Sequence, residues 1–315
     1  MEVLTLDGAE VERILGLDPL LDALSEAFKA LTRGEVSVPP RVSADVPDAG
    51  FLGAMPGYVP GLGIAVKLVS VFPHNHDRGL PSHQALIGLF DADTGSPLCV
   101  MDGTYITAYR TAAAAALSAK LLARDDAETL AIIGAGVQGE AHLKVFPHVR
   151  EFGAIRVASR SFEHAEQLAE KHPAARAVPS FEEAVRGADV VCLCTHSGEP
   201  VVKLDWLEPG AHVTSVGYSP PHGELDPEIA RRGHLFVEGR VAFSPPPAGC
   251  GELVGIDPES ATEIGELLLG RREGRRSEDE ITVYKSMGHA VEDAAAASIV
   301  YRAAVEQGAG RKVSF

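Results

Sequence analysis

Apolar positions change rhythm along the chain, and each change marks a different element. Leu20, Leu21, Leu24, Phe28 and Leu31 recur at three- and four-residue intervals, which puts them on one stripe of a helix. Asp18 suits the cap of that helix, Pro19 its first turn and Gly34 its end. Between Val38 and Met101 the pattern turns β-rich, and pieces such as Gly63–Val71 and residues 85–90 alternate with Pro and Gly turns. Asp91-Ala92-Asp93-Thr94-Gly95 reads as a hairpin loop whose carboxylates shape the turn. An Ala-rich helix over residues 104–122 follows, in which five consecutive alanines from Ala112 to Ala116 permit close packing.

After Asp125 and Asp126 strands and helices alternate. Strands are expected at Thr129–Ile133 and at residues 155–159, 188–195, 211–217 and 234–238. Helices are expected at residues 139–146 and 161–171, and Ser180-Phe181-Glu182-Glu183 reads as a capping box opening another. This order predicts an α/β chain with a Rossmann-type, doubly wound parallel sheet over residues 115–289. The long helix Ala290–Gln307 pairs with no further strand, so residues 290–315 are assigned to a smaller α+β domain with residues 1–114.

Composition narrows the function classes. In 315 residues, 45% are hydrophobic and 23% charged, a globular balance with material for two cores. A net charge of −16 argues against nucleic acid or an anionic membrane as partner. No apolar run approaches the ~20 residues of a membrane span, and Met1-Glu2-Val3 does not open a signal peptide. Cys99, Cys192, Cys194 and Cys250 lack zinc spacing and read as buried, reduced thiols of a cytoplasmic protein. His74 and His76 flank Asn75 without a third ligand, so no metal is expected.

Gly134-Ala135-Gly136-Val137-Gln138-Gly139 fits G-x-G-x-x-G, and its position between a strand and a helix is the context that gives this weak pattern its meaning. Gly134 permits the tight turn, Gly136 lets the backbone approach a pyrophosphate, and Gly139 lets helix and strand pack closely. Val137 and Gln138 open the helix, whose free N–H groups attract phosphates. At the end of the second strand stands Ser159-Arg160-Ser161, with no acid for the ribose hydroxyls. An arginine flanked by hydroxyls suits a 2′-phosphate, so NADP(H) is preferred and NAD(H) possible; the alternative is an ordinary surface arginine. Thr195 follows an apolar strand, where ligands meet such sheets, or else caps the next turn.

Arg41, Lys67 and Arg110 place charge in otherwise apolar or structured settings, which suits either a substrate carboxylate or ordinary salt bridges. Phe51-Leu52-Gly53-Ala54-Met55-Pro56-Gly57-Tyr58, Val66-Lys67-Leu68-Val69, Pro81-Ser82-His83-Gln84-Ala85 and Val100-Met101-Asp102-Gly103 are distinctive in combination. So are Ile106-Thr107-Ala108-Tyr109-Arg110-Thr111-Ala112-Ala113, the glycine-rich turn, and Tyr284-Lys285-Ser286-Met287-Gly288 with Glu292-Asp293. Across nearly its whole length the chain resembles the ornithine cyclodeaminase/mu-crystallin family. The resemblance implies that Arg41, Lys67 and Arg110 hold the α-carboxylate of a small amino or imino acid. It also implies a homodimer formed by the N-terminal domain and completed by the C-terminal helix.

The family includes ornithine cyclodeaminases, alanine dehydrogenases and reductases of cyclic ketimine acids. Cyclodeaminases carry an aspartate shortly after the strand leading to Val216-Gly217, where this chain has Ser219 or Tyr218, and a glutamate near Gly53 that is absent here. Without those carboxylates ring closure lacks its usual base, and the motifs most resemble the NADPH-dependent ketimine reductases of the mu-crystallin type. The expected reaction is hydride transfer to the C=N carbon. His83 supplies the imine proton or is a packing residue, and Ser82 and Ser219 orient the nitrogen. Asp102 and Asp293 are candidate counter-charges, while Thr111 and Ser286 join the cofactor contacts. The alternatives are a cyclodeaminase or alanine dehydrogenase on the same fold, and a non-catalytic NADP-binding, crystallin-like protein.

Overall fold

The computed structural model describes residues 2–314; Met1, Phe315 and the side chain of His76 lie outside the described residues, and with them the reading of the N-terminus at Met1 and of the His74/His76 pair. The chain forms two compact units, Met1–Arg110 with His289–Phe315, and Thr111–Gly288.

The first unit opens with β1 (Glu2–Leu6), α1 (Gly8–Ile14) and α2 (Leu17–Arg33). The stripe on α2 is buried at Leu20, Leu21, Leu24 and Phe28, and Gly34 ends the helix at φ 71°. The N-cap is Gly16, not Asp18: the helix starts two residues earlier than the Asp-Pro pair suggested, and Asp18 lies in its first turn, where an acid favours the helix dipole. Next come β2 (Val42–Val46), β3 (Gly50–Val59), β4 (Gly63–Val71), β5 (His83–Phe90) and β6 (Pro97–Asp102). Between β5 and β6, Asp91 Oδ1 accepts from the backbone of Asp93 and Thr94, which is the turn-forming role expected of it. Helix α3 (Gly103–Leu122) begins in this unit and ends in the next, with Ala112 to Ala116 wholly buried.

The second unit alternates β7 (Thr129–Ile133), α4 (Val137–Val145), β8 (Ala154–Ala158), α5 (Phe162–Ala169), β9 (Ala175–Ala177), α6 (Phe181–Val185) and β10 (Val190–Leu193). It continues with β11 (His212–Ser215), α7 (Pro227–Arg232), β12 (His234–Val237), β13 (Thr262–Glu263), α8 (Ile264–Leu268) and β14 (Thr282–Lys285). All its strand pairs are parallel, in the order β13-β12-β14-β11-β10-β7-β8-β9. Read from β9, the first five strands run third, second, first, fourth, fifth. That order reverses between β7 and β10, the topological switch point where such sheets take a ligand. The Ser180 hydroxyl caps α6 by accepting from Glu183 N. Cys192 lies on β10 and Cys194 just beyond it; all four cysteines are buried and unbridged.

The chain returns to the first unit as α9 (Ala290–Gln307), which packs on α2, β3 and β4. It ends in β15 (Arg311–Ser314), an edge strand on β1. The resulting sheet runs β15-β1-β6-β5-β4-β3-β2. Strands β1, β2 and β15 and helix α1 escape a periodicity reading. β2 is exposed along its length, and β1 is short and pairs with segments far away in sequence.

Two buried histidines of the second unit tie its stability to pH. His142 lies on α4 with Nδ1 2.7 Å from the Gln138 carbonyl, and His212 sits between the hydroxyls of Ser118 and Thr282. Burial lowers their pKa values to about 4 and about 3. The unfolded chain therefore takes up these protons first as pH falls. The stability they hold is complete above about pH 6.5 and is lost on acidification towards their folded values. Urea unfolding should give about 4 kcal/mol less stability at about pH 5 than at about pH 7.5, roughly 2 for each imidazole. An unchanged unfolding free energy would contradict the neutral, buried state of both rings.

Candidate active site

The glycine-rich turn joins β7 to α4 at the switch point. Gly134 has φ 115°, and a Cβ there would stand 2.5 Å from the carbonyl oxygen of Cys194, at the end of β10. Only glycine meets both the conformation and the contact. A Cβ on Gly139 would overlap the Gly134 carbonyl, so helix and turn touch backbone to backbone. Gly136 differs: it is the N-cap, uses no side-chain cap, and has nothing within 4 Å of where a Cβ would be. Beyond it α4 presents its first-turn N–H groups and an exposed Val137. An open approach to uncapped helix N–H groups fits the pyrophosphate of a dinucleotide. The Gln138 side-chain oxygen is buried there without a partner among the described residues.

At the end of β8, Ser159 is half-buried and Arg160 exposed, and residues 159–161 contain no acid. Ser161 caps α5 by accepting from His164 N at 3.4 Å, which leaves its hydroxyl proton available.

The other expected contacts at the sheet's C-terminal edge are held by carboxylates that periodicity does not reveal. Thr195 directs both its N–H and its hydroxyl to Glu224 Oε2, each at 2.6 Å, while its hydroxyl oxygen accepts from Ser197 N. Ser286, expected beside the cofactor, donates to Glu238 Oε1 at 2.6 Å and accepts from Gly288 N; buried there, it holds its own turn together. Ser219 is half-buried in the loop after β11, where it forms a bridge with His222. Thr111 is buried on α3.

In the first unit, β4, α3 and α9 gather charge in an apolar interior. Lys67 lies on the inner face of β4, 2% exposed, and its Nζ is 2.9 Å from Asp293 of α9. Arg110 places Nε 3.1 Å from Asp293 and Nη1 2.9 Å from Glu292. Burial and the neighbouring Arg110 lower the Lys67 pKa to about 8, against the pull of Asp293. Burial alone would raise the Asp293 pKa, but Lys67, Arg110 and Arg41 hold it below the usual carboxylate range. The three cations singled out in the sequence thus act on one carboxylate, and Asp293 is their counter-charge.

Asp102 is not part of that group. It accepts from Tyr105 N at 2.9 Å at the start of α3, a capping contact. Ser82 Oγ and His83 Nδ1 are 3.1 Å apart, and His83 is exposed. Within the sheet His83 shares the face of Lys67, yet Lys67 pairs with Ile87, four residues along β5 and roughly 13 Å away. The first unit therefore gathers Lys67, Arg110 and the charge of Arg41, while His83 stands apart at the strand's end.

A model of the ornithine cyclodeaminase/mu-crystallin family matches residues 1–308. The ketimine reductase mu-crystallin of Mus musculus is 38% identical, over 90% of this chain and 91% of that one. Among solved structures, the Δ1-pyrroline-2-carboxylate reductase of Thermococcus litoralis, in complex with NADH and L-proline, is similar at a TM-score of 0.93 and 34% identity. The match covers 99% of this chain and all of the other. An archaeal alanine dehydrogenase dimer with bound NAD has a TM-score of 0.90 and 34% identity, with both chains fully covered.

Proposed function

The chain belongs to the ornithine cyclodeaminase/mu-crystallin family, and from that premise we propose that it reduces a cyclic ketimine acid of the Δ1-pyrroline-2-carboxylate or Δ1-piperideine-2-carboxylate type. It is an NAD(P)-dependent oxidoreductase acting on C=N or CH–NH bonds. The observation that carries the substrate assignment is the buried contact of Lys67 and Arg110 with Asp293, on which the charge of Arg41 also acts. A buried cluster of cations sharing one acid is a setting that suits the carboxylate of a small substrate. The named activities of the mouse and Thermococcus relatives support the same reading.

When bound, the nicotinamide supplies a hydride from C4. The turn at residues 134–139 would hold the pyrophosphate, with Val137 and Gln138 at the helix start and Thr111 and Thr195 as further contacts, while Ser286, engaged by Glu238, shapes its own turn. Arg110, Lys67 and Arg41 together hold the carboxylate, so one face of the imine is presented. Ser82 orients the nitrogen, and His83, at the far end of its strand, delivers the proton through water. Asp293 keeps the cation group from repelling an iminium.

Arg160 favours NADP(H), since a guanidinium without a neighbouring acid suits the 2′-phosphate. Arg160→Asp should weaken NADPH binding by about 100-fold and NADH binding by a few-fold at most, measured by titration. Equal losses for both would remove the preference and leave NAD(H) as the natural cofactor.

The sheet of the first unit supports a homodimer. Leu52, Leu68, Leu86 and Val100 are exposed on its outer face, on strands β3 to β6, which suits a second copy of the chain. The dimeric archaeal relative supports this arrangement. A second reading, alanine dehydrogenase, is favoured by the full-length match to that same enzyme. Product analysis with cyclic ketimine acids, L-ornithine and L-alanine decides between the readings. Oxidation of NADPH with formation of the cyclic amino acid is expected; pyruvate from alanine, or proline and ammonia from ornithine, would reassign the reaction.

A further inference from the structure

The second unit buries a charged network that the hydride-transfer scheme does not use. Glu224 is fully buried and accepts five hydrogen bonds. Oε2 takes the N–H and hydroxyl of Thr195; Oε1 takes the hydroxyl of Ser215 at 3.0 Å and the N–H groups of Val216 and Gly217 at 3.1 and 2.7 Å. One carboxylate thus joins the C-terminal ends of β10 and β11. Lys285, at the end of β14, is also fully buried. Its Nζ donates to Ser215 Oγ at 3.1 Å and to the Gly217 carbonyl at 2.7 Å, and pairs with Glu252 at 2.9 Å.

Glycines appear where these carboxylates press on the loop. A Cβ on Gly217 would stand 2.6 Å from the Glu224 carboxyl carbon, and one on Gly223 would overlap the Glu252 carboxylate. Residues 217 and 223 bracket the segment that carries Ser219, so both of its ends are packed against network acids. Burial would lower the Lys285 pKa, but Glu252 and Glu224 outweigh it and raise the value, which keeps the ammonium charged.

We propose that Glu224, Lys285 and Glu252 are positioning residues: they lock the strand ends bearing Thr195 and Ser219 into the shape that receives the nicotinamide half of the cofactor. This rests on the dinucleotide reading above. Such a network has a specific signature, because it acts on one half of the ligand. The adenosine half depends on the turn at residues 134–139 and on residues 159–161, none of which touches Glu224, Lys285 or Glu252 through a hydrogen bond or ion pair among the described contacts.

The test compares two ligands on the intact protein by calorimetry: NADPH, and its fragment lacking nicotinamide, 2′-phospho-ADP-ribose. Glu224→Gln keeps the size but turns one acceptor into a donor facing existing donors. It should weaken NADPH at least about tenfold while changing fragment binding less than about twofold. Ser215→Ala, which removes the hydroxyl linking Glu224 to Lys285 at a residue assigned no ligand contact, should show the same split at about threefold. Equal weakening of both ligands, or no change in either, overturns the proposal; if Glu224→Gln does not fold, the Ser215→Ala result decides alone. Wild-type protein that binds neither ligand would instead refute the dinucleotide reading.

Discussion

Gly136→Val should abolish NADPH binding, with an affinity loss of at least about 1,000-fold, while the protein stays folded. The structure separates these effects. The backbone of Gly136 is extended, with φ −91° and ψ −163°, which valine adopts readily, and its Cβ would meet no heavy atom within 4 Å. The added methyls project into the space a pyrophosphate needs to reach the first-turn N–H groups. An exposed substitution without clashes changes stability by about 0.5 kcal/mol at most, so Tm should move by about 2 °C or less. Gly139→Ala should behave in the opposite way, because its Cβ would overlap the Gly134 carbonyl. Stability falls there by about 3 kcal/mol or more, since backbone must move to admit the methyl group. If Gly136→Val bound NADPH normally, the turn would be structural only.

The second large effect concerns Arg110. Arg110→Lys keeps a positive charge beside Asp293 and Glu292 but loses the planar fork, and kcat/KM for the ketimine acid should fall about 100-fold or more, chiefly through KM. Arg110→Met removes the charge as well. Glu292 and Asp293, both almost wholly buried, then lose a partner, at a cost of about 3–5 kcal/mol of stability, so the lysine variant is the cleaner probe. Lys67 adds a pH signature. It holds a carboxylate only while protonated, and its pKa is about 8. The kcat/KM profile should therefore bend further downward above about pH 8, and this added limb should vanish in Lys67→Arg. A profile flat well past that point would mean that Lys67 takes no part in binding.

The sequence conveys some of this architecture and hides the rest for identifiable reasons. The β7–α4 turn is legible because three glycines stand where turn, approach and packing each exclude a side chain. The Ala290–Gln307 helix is legible because long alanine-rich runs have few other conformations. Lys67 and Arg110 attract notice as charges inside apolar runs, but the carboxylate that joins them lies 226 residues from Lys67, a distance no local pattern spans. Glu224, Glu238 and Glu252 are invisible for a related reason. Glu224 and Glu238 sit in a loop or at a strand end and Glu252 in a short 3-10 turn, where an acid normally faces water, and only the folded chain brings N–H groups onto the first two and the Lys285 ammonium onto the third. The lysine ending the apolar strand Thr282–Lys285 is the one available hint, since a buried ammonium requires an acid nearby. Conversely, the hydroxyls of Thr195 and Ser286 look ready for a ligand in the sequence, and the structure engages both with buried carboxylates.

Hydride tracing reaches the central claim most directly. Wild-type enzyme is incubated with NADPH deuterated on the transferred face of C4 and with Δ1-piperideine-2-carboxylate, and the product is analysed by mass spectrometry and NMR. The account predicts pipecolate carrying one deuterium on the carbon that bears the carboxylate. Pipecolate without label there, or no reduction of any cyclic ketimine acid by an enzyme that binds NADPH, would contradict it.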